Sequence, residues 1–205
     1  RFALVLVGSE MCIRDSTRTL HIVRHGRADA LGALTEEGRS QCRALGRRLA
    51  DVPLDVIWHS PLPRAVDSAA VLAEGRRGLL VDEAPELVDA VPFVPDLDSL
   101  SPRRAAFFDG IDEEEAAAGH ELAGQLADRF LRPHPPGARS TEELLVTHAF
   151  QVSWLVREAL GAPPVSWMSL GRIENTALTT IVLEQDELPM LLCVNDRSHL
   201  EDDTA

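Results

Sequence analysis

"LHIVRHGRADALGALTEEG", residues 20–38, sets an apolar, β-branched run against an arginine, a histidine and a glycine. Leu20-His21-Ile22-Val23 has the composition of a buried strand. Arg24 and His25 are costly to bury, and Gly26 loosens the backbone behind them. Two such side chains where a buried strand stops indicate a site more than a core. Beyond the loop, Thr35 stands before Glu36 and Glu37, an N-cap followed by an acidic first turn. Cys42, Leu45, Leu49 and Val52 then recur at helical spacing. The stretch reads as strand, loop, helix.

The alternation continues along the chain. "LDVIWHS" reads as a strand, "PLPRAVDSAAVLAE" as a helix and "GLLVD" as a short strand. Residues 84–110, rich in Pro and Asp, read as a long loop with one helical turn. "DEEEAAAGHELAGQLADRFL" is predicted helical, with Leu122, Leu126 and Phe130 on one face. "ELLVTH" is a strand, "AFQVSWLVREAL" a helix, and "NTALTTIVLE" and "LPMLLCVN" are two last strands. Strands alternating with helices imply an α/β fold with a mainly parallel sheet.

Composition excludes several functions. The formal net charge is -13, which disfavours nucleic acid and anionic membranes as partners. Every basic residue is Arg and there is no Tyr, which removes Schiff-base lysines, a P-loop lysine and a tyrosine nucleophile. This Arg- and Ala-rich, Lys-free composition matches a high-GC coding bias and leads us to expect a bacterial source. Cys12, Cys42 and Cys193 have neither metal nor redox spacing, so a reducing, cytoplasmic location is expected.

Ligands of open α/β sheets bind beyond the carboxyl ends of the strands. Standing there are Arg24-His25-Gly26, His59-Ser60 with Arg64 on the next helix, Glu86 and Asp89 after the third strand, and Thr147-His148. His21 and His25 cannot share zinc, because four strand residues span ~13 Å. A serine hydrolase would carry GxSxG, which is absent. A phosphate site fits, since Arg24 and Arg64 offer planar forks to phosphoryl oxygens and helix openings offer N–H groups.

"RHG" at a strand end, "SPLPRA" at the next strand-helix junction and "VTHA" late in the chain resemble the histidine phosphatase superfamily, in its phosphoglycerate mutase-like branch. "LTEEG" with the following Gln41, Leu45 and Gly46 resembles its first helix. The resemblance implies a three-layer sandwich, a mainly parallel sheet with helices on both faces. It implies a metal-independent phosphomonoester hydrolase with no cofactor, acting on a phosphorylated small molecule or phosphoprotein. Alternatives are a mutase-type phosphotransferase and a catalytically weak phosphoprotein-binding module.

Carried over by position, His25 is the nucleophile that becomes phosphohistidine, and Arg24, Arg64 and His148 surround the phosphate. Gly26 and Ala149 join them as substrate-binding positions. "LVDAVPFVP" resembles "LxEGxPxxP" in a serine/threonine phosphatase branch, which makes Asp89 the general acid, with Glu86 as the alternative and Asp82 and Glu83 behind it. A neutral His25 attacks in line, while Arg24, Arg64 and a protonated His148 hold the charge of the transition state. Leu87, Val88, Val91 and Phe93 are expected to desolvate Asp89. Mutases and many relatives read "RHGxxxxN", but Leu31 occupies the asparagine position here. The segment "GAPPVSWMSLGRIEN" and the loop at 84–110 are expected to shape specificity.

"LVGSEMCIRDS", residues 6–16, resembles the conceptual translation of a transposon-type sequencing adapter. Residues 1–16 are therefore expected to be a non-native leader, 17–200 a single histidine phosphatase domain and 201–205 a loose tail.

Overall fold

The computed structural model describes residues 16–200, so the expected leader up to residue 15 and the tail lie outside the described residues. The elements run β1 (Arg18–Arg24), α1 (Glu36–Arg48), β2 (Val56–His59), α2 (Pro63–Ala73), β3 (Leu80–Glu83), α3 (Pro102–Ala105), α4 (Glu113–Phe130), β4 (Thr141–Thr147), α5 (Ala149–Ala159), β5 (Leu178–Leu183) and β6 (Met190–Asp196). The sheet has six strands in the order β3-β2-β4-β1-β5-β6. β3, β2, β4 and β1 are parallel, and β5 and β6 add antiparallel pairings at one edge. This is the mainly parallel α/β fold that the alternation implies.

Each face of the sheet carries its own core. Leu20, Ile22 and Leu145 pack with Leu126, Phe130, Trp154 and Leu155 of α4 and α5. Val23, Leu144 and Val146 pack on the opposite face with Cys42 and Leu45 of α1 and Ala69 and Leu72 of α2. Central strands covered on both faces must be apolar on both, which is why β1 and β4 read as continuous apolar runs. β1 and β4 are further joined by Arg18, whose Nε and Nη2 donate to the two carboxylate oxygens of buried Glu143 at 2.7 and 2.9 Å.

Local chemistry starts the helices where the sequence indicates. Thr35 accepts the Gly38 N–H at 3.1 Å, and Asp112 accepts the Glu115 N–H at 2.8 Å. Pro63 opens α2, where its missing N–H costs nothing.

The segment after β3 differs from the expectation of a loop with one turn. It holds short turns at Pro85–Leu87, Leu97–Ser99 and Ala106–Phe108, as well as α3. Its backbone has no ladder to join, so side chains of other elements tie it down. Thr147 Oγ1 donates to the Leu87 carbonyl at 2.8 Å, Gln151 Nε2 to Ala90 at 2.9 Å and Trp167 Nε1 to Phe93 at 3.0 Å.

Two glycines let α1 approach the end of β1. A Cβ on Gly26 would lie 2.6 Å from the Gly38 carbonyl oxygen, and one on Gly38 would lie 2.2 Å from the Arg27 carbonyl oxygen. Both obstacles are backbone atoms, which cannot rotate away. Gly38→Ala should therefore destabilise the protein by about 1–3 kcal/mol, the usual cost of overpacking. Urea unfolding checks this, and an unchanged midpoint would show that the contact does not hold the segment.

Candidate active site

The sheet ladder continues past the strand ends and fixes the residues that follow them. The His25 N–H donates to the Thr147 carbonyl at 2.8 Å, and the Ser60 N–H donates to Val146 at 3.0 Å. His25, Ser60 and His148 therefore stand at one edge as extensions of three neighbouring strands. A pocket of about 540 Å³ opens there, lined by Arg24, His25, Arg64, Asp89, Arg172 and Asn175 along with the 27–32 loop.

The His25 ring is oriented by its own backbone. Nδ1 lies 2.7 Å from the Gly26 carbonyl, which accepts, so Nδ1 carries the proton and Nε2 keeps its lone pair. Burial, followed by the charges of Arg24 and Arg64, lowers the His25 pKa to about 4 against the pull of that carbonyl. The ring is a neutral nucleophile at ordinary pH. Arg64 Nε donates to His25 Nε2 at 3.1 Å, and Arg64 Nη2 to Asp89 Oδ2 at 2.8 Å. One guanidinium thus joins the nucleophile to the carboxylate.

His148 stands behind this group, its ring 5.1 Å from that of His25. The buried Ser60 hydroxyl accepts the Leu62 N–H at 3.3 Å, and among the described residues the acceptor within reach of its own proton is His148 Nε2 at 2.8 Å. The His148 proton then sits on Nδ1, 3.6 Å from Asp89 Oδ2. A protonated His148, expected in the transition state, is disfavoured in the resting site. The ring is 1% exposed, and its pKa is lowered to about 2 by burial, then by His25, Arg64 and Arg24. His148 serves as a neutral donor through Nδ1.

Two buried polar atoms of this group have no hydrogen-bond partner, Arg24 Nε and His148 Nδ1. A buried donor left unsatisfied costs about 1–3 kcal/mol, and an incoming phosphoryl oxygen relieves that cost. Arg24 is otherwise anchored, its Nη1 donating to the Ile173 carbonyl at 2.8 Å. Arg24, Arg27, Arg64 and Arg172 line the pocket with Asp29 and Asp89, making a cationic spot on an acidic chain.

The remaining candidates divide. Glu86 is 8% exposed and turned toward α4, where it accepts from Arg129 Nη1 at 2.6 Å. It does not line the pocket, and neither do Asp82 and Glu83. The apolar surroundings expected for Asp89 are corrected too. Leu87 is buried in the core, whereas the Asp89 side chain is 34% exposed and paired with Arg64. Gly26 lies under the pocket with its N–H committed to Ser68 Oγ at 3.0 Å, so its place is one of packing and ring orientation. Ala149 opens α5 and lines the neighbouring cleft, because the inward turn belongs to His148 at the N-cap. His59 does not line the pocket either, and its Nδ1 lies 3.0 Å from the Ser60 carbonyl.

The sequence reading gave no role to Arg27, Arg172 or Ser68, and placed Ser60 at a strand end without a role. Ser60 and Ser68 carry a usable signal, since both lie in the motif-bearing stretch from 60 to 68. Arg27 and Arg172 have none beyond their charge. Asn175 precedes β5 and reaches the site. It lines the pocket, and its Nδ2 donates to the His25 carbonyl at 2.8 Å. Leu31 is 95% exposed at the rim.

Fold and pocket together define a class: a phosphoryl-transfer site with a histidine at the carboxyl edge of a three-layer α/β sheet. The profile of the histidine phosphatase superfamily (branch 1) matches residues 20–197, and the chain belongs to that superfamily. It is 29% identical over 202 residues to the protein named serine/threonine-protein phosphatase Pgam5, mitochondrial, of Caenorhabditis briggsae, covering 93% of this chain and 67% of that one. It is 24% identical to the human protein of that name, covering 92% of this chain and 65% of the other. The chain thus spans about two thirds of the length of these relatives. Among solved structures it resembles a putative alpha-ribazole-5'-P phosphatase from Escherichia coli, with TM-score 0.68, 21% identity and coverage of 88% and 98%. It also resembles a phosphoglycerate mutase from Bacillus anthracis, with TM-score 0.64, 17% identity and coverage of 93% and 98%.

The buried histidines set a pH dependence of stability. His25 and His148 are neutral when folded, and so is His199, whose pKa burial and then Arg48 lower to about 4. Unfolded imidazoles titrate near 6.5, so below that pH the unfolded chain binds more protons than the folded one. Stability should fall as pH drops from about 6.5 toward 4, as thermal unfolding of the ligand-free protein will read. His25→Ala should make the fall shallower. An equally steep fall would show that His25 does not enter the native state neutral.

Proposed function

We propose that the protein is a metal-independent phosphomonoester hydrolase that works through a phosphohistidine on Nε2 of His25. The observation that carries this is the hydrogen bond from Nδ1 to the Gly26 carbonyl, which leaves the Nε2 lone pair facing Arg64 in the pocket, with Arg24 beside it and the His148 ring 5.1 Å behind. The substrate phosphoryl group enters between Arg64 and His25 and takes over the Arg64 donors. Nε2 forms a bond to phosphorus as the ester P–O bond breaks. Arg24, Arg64 and the Nδ1–H of His148 stabilise the charge spread over the equatorial oxygens. Asp89, released as the phosphoryl group draws Arg64 away, takes up a proton and gives it to the leaving oxygen. It then takes one from the water that attacks the phosphohistidine, releasing inorganic phosphate and free His25. No step calls on a metal or cofactor.

Phosphorylated substrates follow from the family, and the names of the relatives support a phosphoprotein among them. We also propose a cytoplasmic, bacterial setting. It is supported by the Lys-free composition and the scattered cysteines, of which Cys42 and Cys193 are free thiols.

His25→Ala should abolish phosphate release while leaving the fold intact, because the ring lies at a strand end and outside both cores. Acid-labile, base-stable phosphate should be trapped on the wild type and be missing from the variant. Near-normal turnover in the variant would rule out covalent catalysis at His25.

Asp89→Asn should depend on the leaving group. An alkoxide needs a proton in the transition state and a nitrophenolate hardly does. General acid catalysis is worth about 10²–10⁴-fold, so the loss should be of that order on alkyl phosphates and clearly smaller on nitrophenyl phosphate. Glu86→Gln should leave this dependence unchanged and lower stability, since it removes the charge of the buried Glu86 carboxylate that pairs with Arg129. Equal losses on both substrates in Asp89→Asn would mean that the proton comes from another group.

A further inference from the structure

A second cleft, of about 320 Å³, adjoins the phosphate pocket, and Arg24 and Arg172 line both. Apart from Ser153, its other side-chain walls are apolar. Phe107, Phe150 and Trp167 meet edge to face, with ring centres 5.6 Å apart for Phe107 and Phe150 and 5.2 Å for Phe150 and Trp167. Met168 completes the lining on that side. Trp167 is 4% exposed, and its indole N–H is fixed on the Phe93 carbonyl, so the wall is rigid. Phe107 is 45% exposed, an unusual setting for an aromatic ring that serves only the core.

Position decides what the cleft receives. Arg24 faces the phosphoryl group on one side and this cleft on the other. The alcohol of a bound ester therefore has an apolar box one guanidinium away. The mechanism proposed above does not use the cleft, and every residue lining it except Arg24 comes from a segment between strands, where specificity varies most easily.

We propose that this cleft is the leaving-group subsite, and that the natural substrate is a phosphomonoester whose alcohol carries a flat apolar group close to the ester oxygen. The inference rests on the phosphatase reading and gives its substrate class. The same chemistry has two sources: a small aryl-bearing phosphate, or a phosphoserine or phosphothreonine beside an aromatic residue in a peptide.

The test compares 2-phenylethyl phosphate with ethyl phosphate. Both are primary alkyl esters with similar leaving groups, so a difference in kcat/KM reports the cleft. Burying a phenyl ring should favour the phenylethyl ester by about ten- to a hundredfold. Phe107→Ala should bring that ratio down several-fold, and Phe150→Ala, at the ring in contact with it, should do the same. Phosphoserine peptides with Phe or Gly next to the phosphorylated residue separate the sources. A preference for Phe at the same ratio identifies the peptide. Turnover of phenylethyl phosphate with neither peptide accepted identifies the small molecule. A wild-type ratio near one overturns the inference and leaves the phosphatase reading standing. So does a ratio that neither variant changes, or a preference for peptides with Asp at that position. Absence of turnover on both esters, with no phosphoenzyme, overturns both.

Discussion

The hydrogen bond between the His25 ring and the Gly26 carbonyl ties the chemistry to the fold. It works only if the peptide after the histidine is held still, and the structure holds it from three sides. The β1–β4 ladder extends to the His25 N–H, Ser68 accepts the Gly26 N–H, and α1 presses against Gly26 through the bare backbone of Gly38. A side chain on either glycine would push the peptide away, and the tautomer of the ring would lose its reference. The parallel sheet, the cap at Thr35 and the two glycines converge on the placement of one nitrogen.

Charge is arranged against the average of the molecule. A chain with net charge -13 gathers four arginines around one pocket and sets Asp89 among them. Asp89 comes from a segment without regular structure, so its position depends on borrowed hydrogen bonds. Thr147 and Gln151 fasten the carbonyls of Leu87 and Ala90 on either side of it, and both flank His148 in sequence. The elements that supply the second histidine thus also set the acid, which couples the two groups without a bond between them.

The strand-helix alternation, the Thr35 cap and the cluster of Arg24, His25, Arg64 and His148 at strand ends were legible in the sequence because each rests on local pattern or on polar residues where strands stop. What was not legible depends on tertiary direction. Composition marked residues 84–110 as loop, but the short turns there depend on Thr147, Gln151 and Trp167, remote in sequence. The resting charge of His148 was hidden for the same reason. Its type suggests a cation, whereas its burial and the hydroxyl of Ser60 make it neutral. Glu86 and Asp89 looked interchangeable three residues apart, and only the partner Arg129 on α4 draws one of them away.

The contact of Arg64 Nε with His25 Nε2 bears on how the resting enzyme avoids unwanted reactions. A neutral imidazole lone pair in an open pocket invites metal ions, acylating agents and other electrophiles. Here the lone pair is capped by a guanidinium, which also repels any cation that approaches. Only a ligand able to bind that guanidinium better than the imidazole does can uncover the nitrogen, and a phosphoryl dianion is such a ligand. The substrate is its own deprotecting reagent, and chemoselectivity is decided before any bond to phosphorus begins to form.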